Sequence, residues 1–223
     1  MPALPTLTID ALKLTANAYA KLLSATPIPE LYGVTDGKAV GTHVEAGFNT
    51  HIGVHFTHSQ GNAARGIDFP ELDVDLKVTS IKQPQSSSPF RDATQKVYGL
   101  GYHLLVFVYE KADDADLAAA RLDIRHVVFI ERAVTGDFQT TSGIQKILGN
   151  DGNVDDIDAF LLERNLPLDE IGRRTLAERI VEEPPGLGCL TISNALQWRL
   201  QYGRAIQLAA SAETPGVEDL RAE

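Results

Sequence analysis

Residues 66–80 read GIDFPELDVDLKVTS, a stretch with four carboxylates and one lysine. Leu72, Val74, Leu76 and Val78 alternate with Asp73, Asp75, Lys77 and Thr79, the period-two pattern of a strand with one apolar and one polar face. Asp75 and Lys77 therefore project from the same side. A strand that carries charge opposite its core face raises the question of what the charge is for.

Working outward, YHLLVFVYE and RLDIRHVVFIE are hydrophobic enough for core strands, separated by KADDADLAAA, read as a loop or brief helix. KQPQSSSPF is a loop by composition, RDATQKVYGLG a short helix, and YGLGY a tight helix-to-strand connection, since its two glycines lack the lysine and further glycine of a phosphate loop. Upstream, Leu12, Ala16, Tyr19, Ala20 and Leu23 recur at helical spacing, and PIPELYGVTDG breaks that helix. A second helix follows through Val40, Val44, Phe48 and Ile52, with Glu45 beside its apolar stripe. TTSGIQKILGN, VDDIDAFLLERN and LDEIGRRTLAERIVEE predict three more helices, and GCLTIS a short strand. SNALQWRLQYGRAIQLAASA predicts a final helix with Ser193 as N-cap, and ETPGVEDLRAE a frayed end. The expectation is a single α/β domain over residues 1–212, with a mixed central sheet flanked by helices, and a flexible tail over 213–223.

The chain of 223 residues has a formal net charge of −10, which argues against a generally basic nucleic-acid binder. The charge is segregated, however. Glu110–Glu183 holds 17 acids against 9 bases, Leu76–Tyr109 one acid against four bases, and Pro184–Ala212 two arginines and no acid. An acidic protein with that distribution can present one positive face. No apolar run reaches the roughly 20 residues of a membrane span, and the start lacks the pattern of a signal peptide, so a cytoplasmic protein is expected. The one cysteine, Cys189, excludes an internal disulfide and reads as a small buried hydrophobe.

Asp68 precedes Asp75 by six intervening residues, and one residue separates Asp75 from Lys77. Two carboxylates and an amine can converge on one sheet edge. A hard divalent cation such as Mg2+ takes oxygen ligands, often one or two protein carboxylates with waters and substrate phosphate. An ammonium beside them can hold water or offset charge developing on phosphorus. By spacing alone, D-x6-D-x-K is as compatible with a solvated strand edge. His51 and His55 share a helical face, but the glutamate that follows the first histidine in zinc peptidases is replaced by Ile52.

Asp68, Asp75 and Lys77 resemble the PD-(D/E)XK nuclease motif, in a spacing similar to that of the MutH-like branch and related type II restriction endonucleases. VGTHVE places Glu45 where those families carry a glutamate on the preceding helix, and the wider pattern from DFPEL to YGLGY is similar to a group of type II restriction endonucleases. Two positions depart from the motif: Ile67 stands where it has proline, and Asp75 where the MutH type has glutamate.

The resemblance implies a restriction endonuclease-like fold and Mg2+-dependent hydrolysis of double-stranded DNA at a short specific sequence. It implies a catalytic core over 38–110 and a helical part over 133–212 available for DNA recognition. Asp68, Asp75 and Glu45 would be metal ligands, with Lys77 acting on the attacking water. Lys82, Ser86, Ser87, Arg91 and Lys96 are candidate DNA contacts from the loop and short helix after the motif. Gln197, Arg199, Gln201 and Arg204 are candidates from the last helix. Cleavage of both strands suits a homodimer, and MutH-like relatives act as monomers. A nicking or repair endonuclease with the same site, or a non-catalytic DNA-binding or interaction module, is the alternative.

Overall fold

The structure, a computed structural model, describes residues 4–59, 66–88, 92–193 and 198–221. Helix α1 (Ile9–Ala25) starts where the Thr8 hydroxyl accepts from the Ala11 amide, and it buries Leu12, Ala16, Tyr19, Ala20 and Leu23 along one face. Helix α2 (Gly37–His55) is capped by Asp36, which accepts from the Lys38 and Ala39 amides, and it buries Val40, Val44, Phe48 and Ile52. The alternating stretch becomes strand β1 (Val74–Ser80), followed by strand β2 (Gln85–Ser88) and the single-turn helix α3 (Gln95–Tyr98). Strands β3 (His103–Asp114) and β4 (Ala119–Ile130) form a long hairpin. Helices α4 (Phe138–Leu148), α5 (Val154–Glu163) and α6 (Glu170–Glu182) follow, then strands β5 (Thr191–Ile192) and β6 (Trp198–Gln201), helix α7 (Gly203–Ser211) and strand β7 (Val217–Asp219).

The central sheet has the order β1-β3-β4-β7. It is mixed: β1 runs parallel to β3, with Val74 opposite His103 and Ser80 opposite Tyr109, and the other pairs are antiparallel. The mixed α/β sheet flanked by helices is the fold class expected from the sequence. On one face, Val74, Leu76, Leu105, Phe107 and Phe129 pack against α1 and α2. On the other, Leu104, Val106, Val108, Val128 and Ile130 meet Trp198, Leu200, Tyr202 and Ala205, carried by a second sheet of order β2-β6-β5 and by α7. The helices α4–α6 bury a separate cluster around Ile144, Ile157, Leu161, Leu176 and Ile180. Gly99 (φ 88) and Gly101 (φ 86) make the tight turn from α3 into β3.

Four segments differ from their sequence reading. QSSS is strand β2 rather than loop, because it pairs with β6 from Gln85–Gln201 to Ser88–Trp198. KADDADLAAA completes the β3–β4 hairpin, whose turn places Ala118 at φ 46. The final predicted helix divides: Trp198 and Leu200 point inward and Arg199 and Gln201 outward in β6, and α7 begins only at Gly203. The hydroxyl of Ser193, expected as an N-cap, accepts from the Arg199 amide. Within the segment read as a flexible tail, β7 pairs with β4 and buries Val217, and Asp219 Oδ2 lies 2.7 Å from His126 Nδ1.

Candidate active site

Asp68 lies on the connection into β1. From Phe69 to Val74 the chain folds back on itself: the Phe69 amide donates to the Val74 carbonyl at 2.9 Å and the Val74 amide to the Phe69 carbonyl at 3.2 Å. Asp73 completes the turn in the left-handed region, at φ 51. This brings Asp68 alongside β1, where its Oδ2 accepts from the Leu76 amide at 2.7 Å. β1 is an edge strand of the central sheet, so that amide has no neighbouring strand to serve it.

Asp75 and Lys77 occupy alternate positions of β1, opposite Val74 and Leu76, as the period of two requires. Lys77 Nζ stands 2.8 Å from Asp75 Oδ2. Asp75 is 3% exposed, because the second sheet covers this face of the strand. Its carboxyl is pushed up to about 7, chiefly by burial; a hydrogen bond with Asp68 adds to the rise and Lys77 opposes it. Two carboxyl groups can bond to each other only by sharing a proton. Burial alone would lower the Lys77 pKa, but the Asp75 carboxylate beside it, with Asp68, holds it above the ordinary value. Glu45, half-buried on α2, is raised by desolvation and by repulsion from Asp68, and Lys77 pulls the other way.

The structure thus brings together Asp68, Asp75 and Lys77 and sets Glu45 within their field. Among the described residues, no three His, Cys, Asp or Glu side chains gather closely enough to hold a metal ion by themselves. The donor set nonetheless fits a hard cation. The Asp75 carboxyl, raised by burial beside Asp68, would be stabilised as a carboxylate by a divalent ion, and the donors of both side chains are oxygen.

The site opens on a cleft of about 1130 Å³ running along β1 from the start of α2 to β2. Glu45 and Lys77 line it, with Lys38, Lys82, Lys111 and Arg199 further along. Asp36 and Asp113 line it too, Asp113 paired with Lys111, so five cations meet three carboxylates and the groove is net positive in a chain of net charge −10. Thr79 fixes its wall: the Thr79 hydroxyl accepts from the Gln85 amide at 2.9 Å and lies 3.1 Å from the Gln85 carbonyl, which ties β2 to β1 two residues beyond Lys77. The buried Tyr202 hydroxyl lies 2.6 Å from Ser86 Oγ.

Of the candidate DNA contacts, Lys82 and Ser87 are exposed in the cleft, Ser86 is half-buried against Tyr202, and Arg199 and Gln201 are exposed on β6 instead of a helix. Lys96 is 2% exposed, with its Nζ 5.9 Å from the Trp198 ring centroid, so it faces the interior and cannot meet a phosphate. Arg204 lies over the Phe138 ring at 3.4 Å. Arg91 and Gln197 lie outside the described residues. The His51 and His55 rings meet edge to face, their centroids 5.6 Å apart, with Tyr19 against His51. Cys189 is buried, and burial pushes its thiol up to about 12. Thr79 and Lys111 were not singled out from the sequence. Thr79 had a signal, since it continues the polar face of Asp75 and Lys77; Lys111 had none, because it lies beyond the hydrophobic part of β3.

Comparison with known proteins gives the class. Residues 6–219 match the family model described as "Type II restriction enzyme NspV". Over 207 residues, 93% of this chain and 94% of the relative, the sequence is 54% identical to the type II restriction enzyme NspV of Nostoc sp.. No solved structure matches. The matched family is one of type II restriction enzymes. Within that class, the chain belongs to the NspV family. Among the described residues, no helix is long and apolar enough to cross a membrane.

Proposed function

We propose that this protein is a Mg2+-dependent endonuclease of the PD-(D/E)XK type that hydrolyses both strands of duplex DNA at a short specific sequence. The observation that carries the reading is the convergence of Asp68, Asp75 and Lys77 at the open edge of β1, beside a basic cleft. Asp68 and Asp75 would hold the cation, which supplies charge neutralisation and a more acidic water when bound. Asp68 is fixed by the Leu76 amide and Asp75 by burial, so the pair is oriented before substrate arrives.

Lys77 is held as an ammonium by Asp75. It would bind the attacking water or a non-bridging phosphoryl oxygen, where positive charge matters more as the pentacoordinate state forms. Glu45, outside the aspartate pair, would accept a hydrogen bond from that water and orient it. Lys38 and Lys82 would lie along the phosphates.

Incubation of unmethylated plasmid with and without Mg2+, followed by sequencing of the fragment ends, tests the reading. Discrete linear fragments that share one end sequence are expected; open circles alone would indicate a nicking enzyme. Lys77→Ala should retain DNA binding and lose cleavage by about 10²–10⁴-fold. Unchanged cleavage by that variant would overturn the assignment.

A further inference from the structure

The second sheet has two unlike faces. Its inner face carries Trp198, Leu200 and Ser88, all buried. The outer face carries Gln85 and Ser87 on β2, Arg199 and Gln201 on β6, and Thr191 on β5, placed side by side by the register Gln85–Gln201–Thr191 and Ser87–Arg199. Among these five, only arginine is charged. Among the described residues, no carboxylate forms an ion pair with Arg199. Hydroxyls and amides can also touch phosphates, but the lysines of the cleft lie apart from this face. It offers amides, hydroxyls and one guanidinium, the groups that read base edges: arginine pairs with guanine O6 and N7, and glutamine with adenine N6 and N7.

Dimensions agree. Two strands about 4.8 Å apart make a ribbon that the major groove, about 12 Å wide, admits. Arg199 and Gln201, two residues apart on one face, are separated by roughly 6.8 Å, about two base-pair steps. Gln85, Ser87 and Arg199 also line the cleft that holds Lys77 and Glu45. A duplex whose backbone enters at β1 would thus turn its bases toward β2 and β6.

We infer that the outer face of the β2-β6-β5 sheet is the base-reading surface of this enzyme, seated in the major groove, with Arg199 and Gln201 as its main specificity-determining contacts. The inference rests on the reading of the protein as a duplex-cutting endonuclease.

The test uses the full chain with its cleavage site first identified from wild-type fragments, then Arg199→Lys, Arg199→Ala and Gln201→Ala. Lysine keeps the charge of arginine but loses the planar fork. Arg199→Lys and Arg199→Ala should each lower kcat/KM on the specific site by about 5–150-fold, with the salt dependence of binding to unrelated duplex unchanged for Arg199→Lys. Gln201→Ala should lose discrimination by a similar factor at one base pair of the site, measured against single-base-pair variants. Both positions are exposed, so unchanged thermal unfolding is expected to exclude a folding defect. Near-wild-type cleavage by Arg199→Lys, with Arg199→Ala weakened equally on all sequences, would make Arg199 a phosphate contact and overturn the inference. Full specificity in all variants would overturn it too. Wild-type protein that yields no Mg2+-dependent fragments would instead sink the function itself, and this inference with it.

Discussion

Replacing Asp75 by asparagine should remove an unusual response to acid. In the folded, metal-free protein the Asp75 carboxyl sits at about 7, against an ordinary value of 3.8. Because the folded-state value is raised, the protonated form is favoured on folding. The stabilisation is fully present below pH about 3.8 and is lost as pH rises through about 7. One such proton gives about 2 kcal/mol more stability at pH ~5.5 than at pH ~8. Most paired carboxylates give the opposite sign. The assay is urea unfolding in EDTA at both pH values for wild type and Asp75→Asn; subtracting one pH dependence from the other removes the titration of groups that do not interact with Asp75. The expected difference is about 2 kcal/mol, and saturating Mg2+ at pH ~8 should stabilise wild type but not the variant. Equal pH dependence in the two proteins would refute the idea that a buried, proton-sharing pair awaits a cation at this edge.

Thr79→Val keeps shape but unties β2 from β1. It should lower kcat about tenfold with little change in DNA affinity, and Thr79→Ser should restore it; equal effects on kcat and affinity would mean a general structural role. Gly99→Ala places a Cβ 2.8 Å from the Arg132 carbonyl oxygen and 2.8 Å from Thr135 Oγ1, so chemical denaturation should show a loss of about 3 kcal/mol or more. Gly101→Ala, with nothing within 4 Å of the new methyl, should cost only about 1–2 kcal/mol. Truncation after Ala212 removes β7 and should lower the melting temperature by roughly 6–12 °C in calorimetry, corresponding to about 3 kcal/mol.

Periodicity made the long elements legible. Helices α1 and α2 show their buried stripes in the sequence, and β1 declares which of its residues share a side, which is why Asp75 and Lys77 could be paired before any coordinates. Asp68 was placed by resemblance to a motif; its position depends on a turn between Phe69 and Val74 that no local pattern announces. The short strands were hidden for different reasons. QSSS has no apolar residue because its outward positions face water and Ser86 packs under Tyr202. WRLQ does alternate, but four residues of period two are outweighed by the helical composition around them. VED is recruited to the sheet by β4, a non-local event. Lys96 shows the limit of reading charge: a lysine in a polar stretch was expected outside, and the packing of α3 beneath Trp198 puts it inside.

Beside its proposed part in the chemistry, Asp68 has a structural job. By taking the Leu76 amide, its carboxylate blunts the exposed border of the sheet, where another chain could otherwise add a strand and start aggregation. An alanine at this position would therefore yield a protein both inert and sticky, and the two defects would be confused. Asparagine keeps a carbonyl for that amide while removing the negative charge, so Asp68→Asn is the substitution that separates solubility from chemistry.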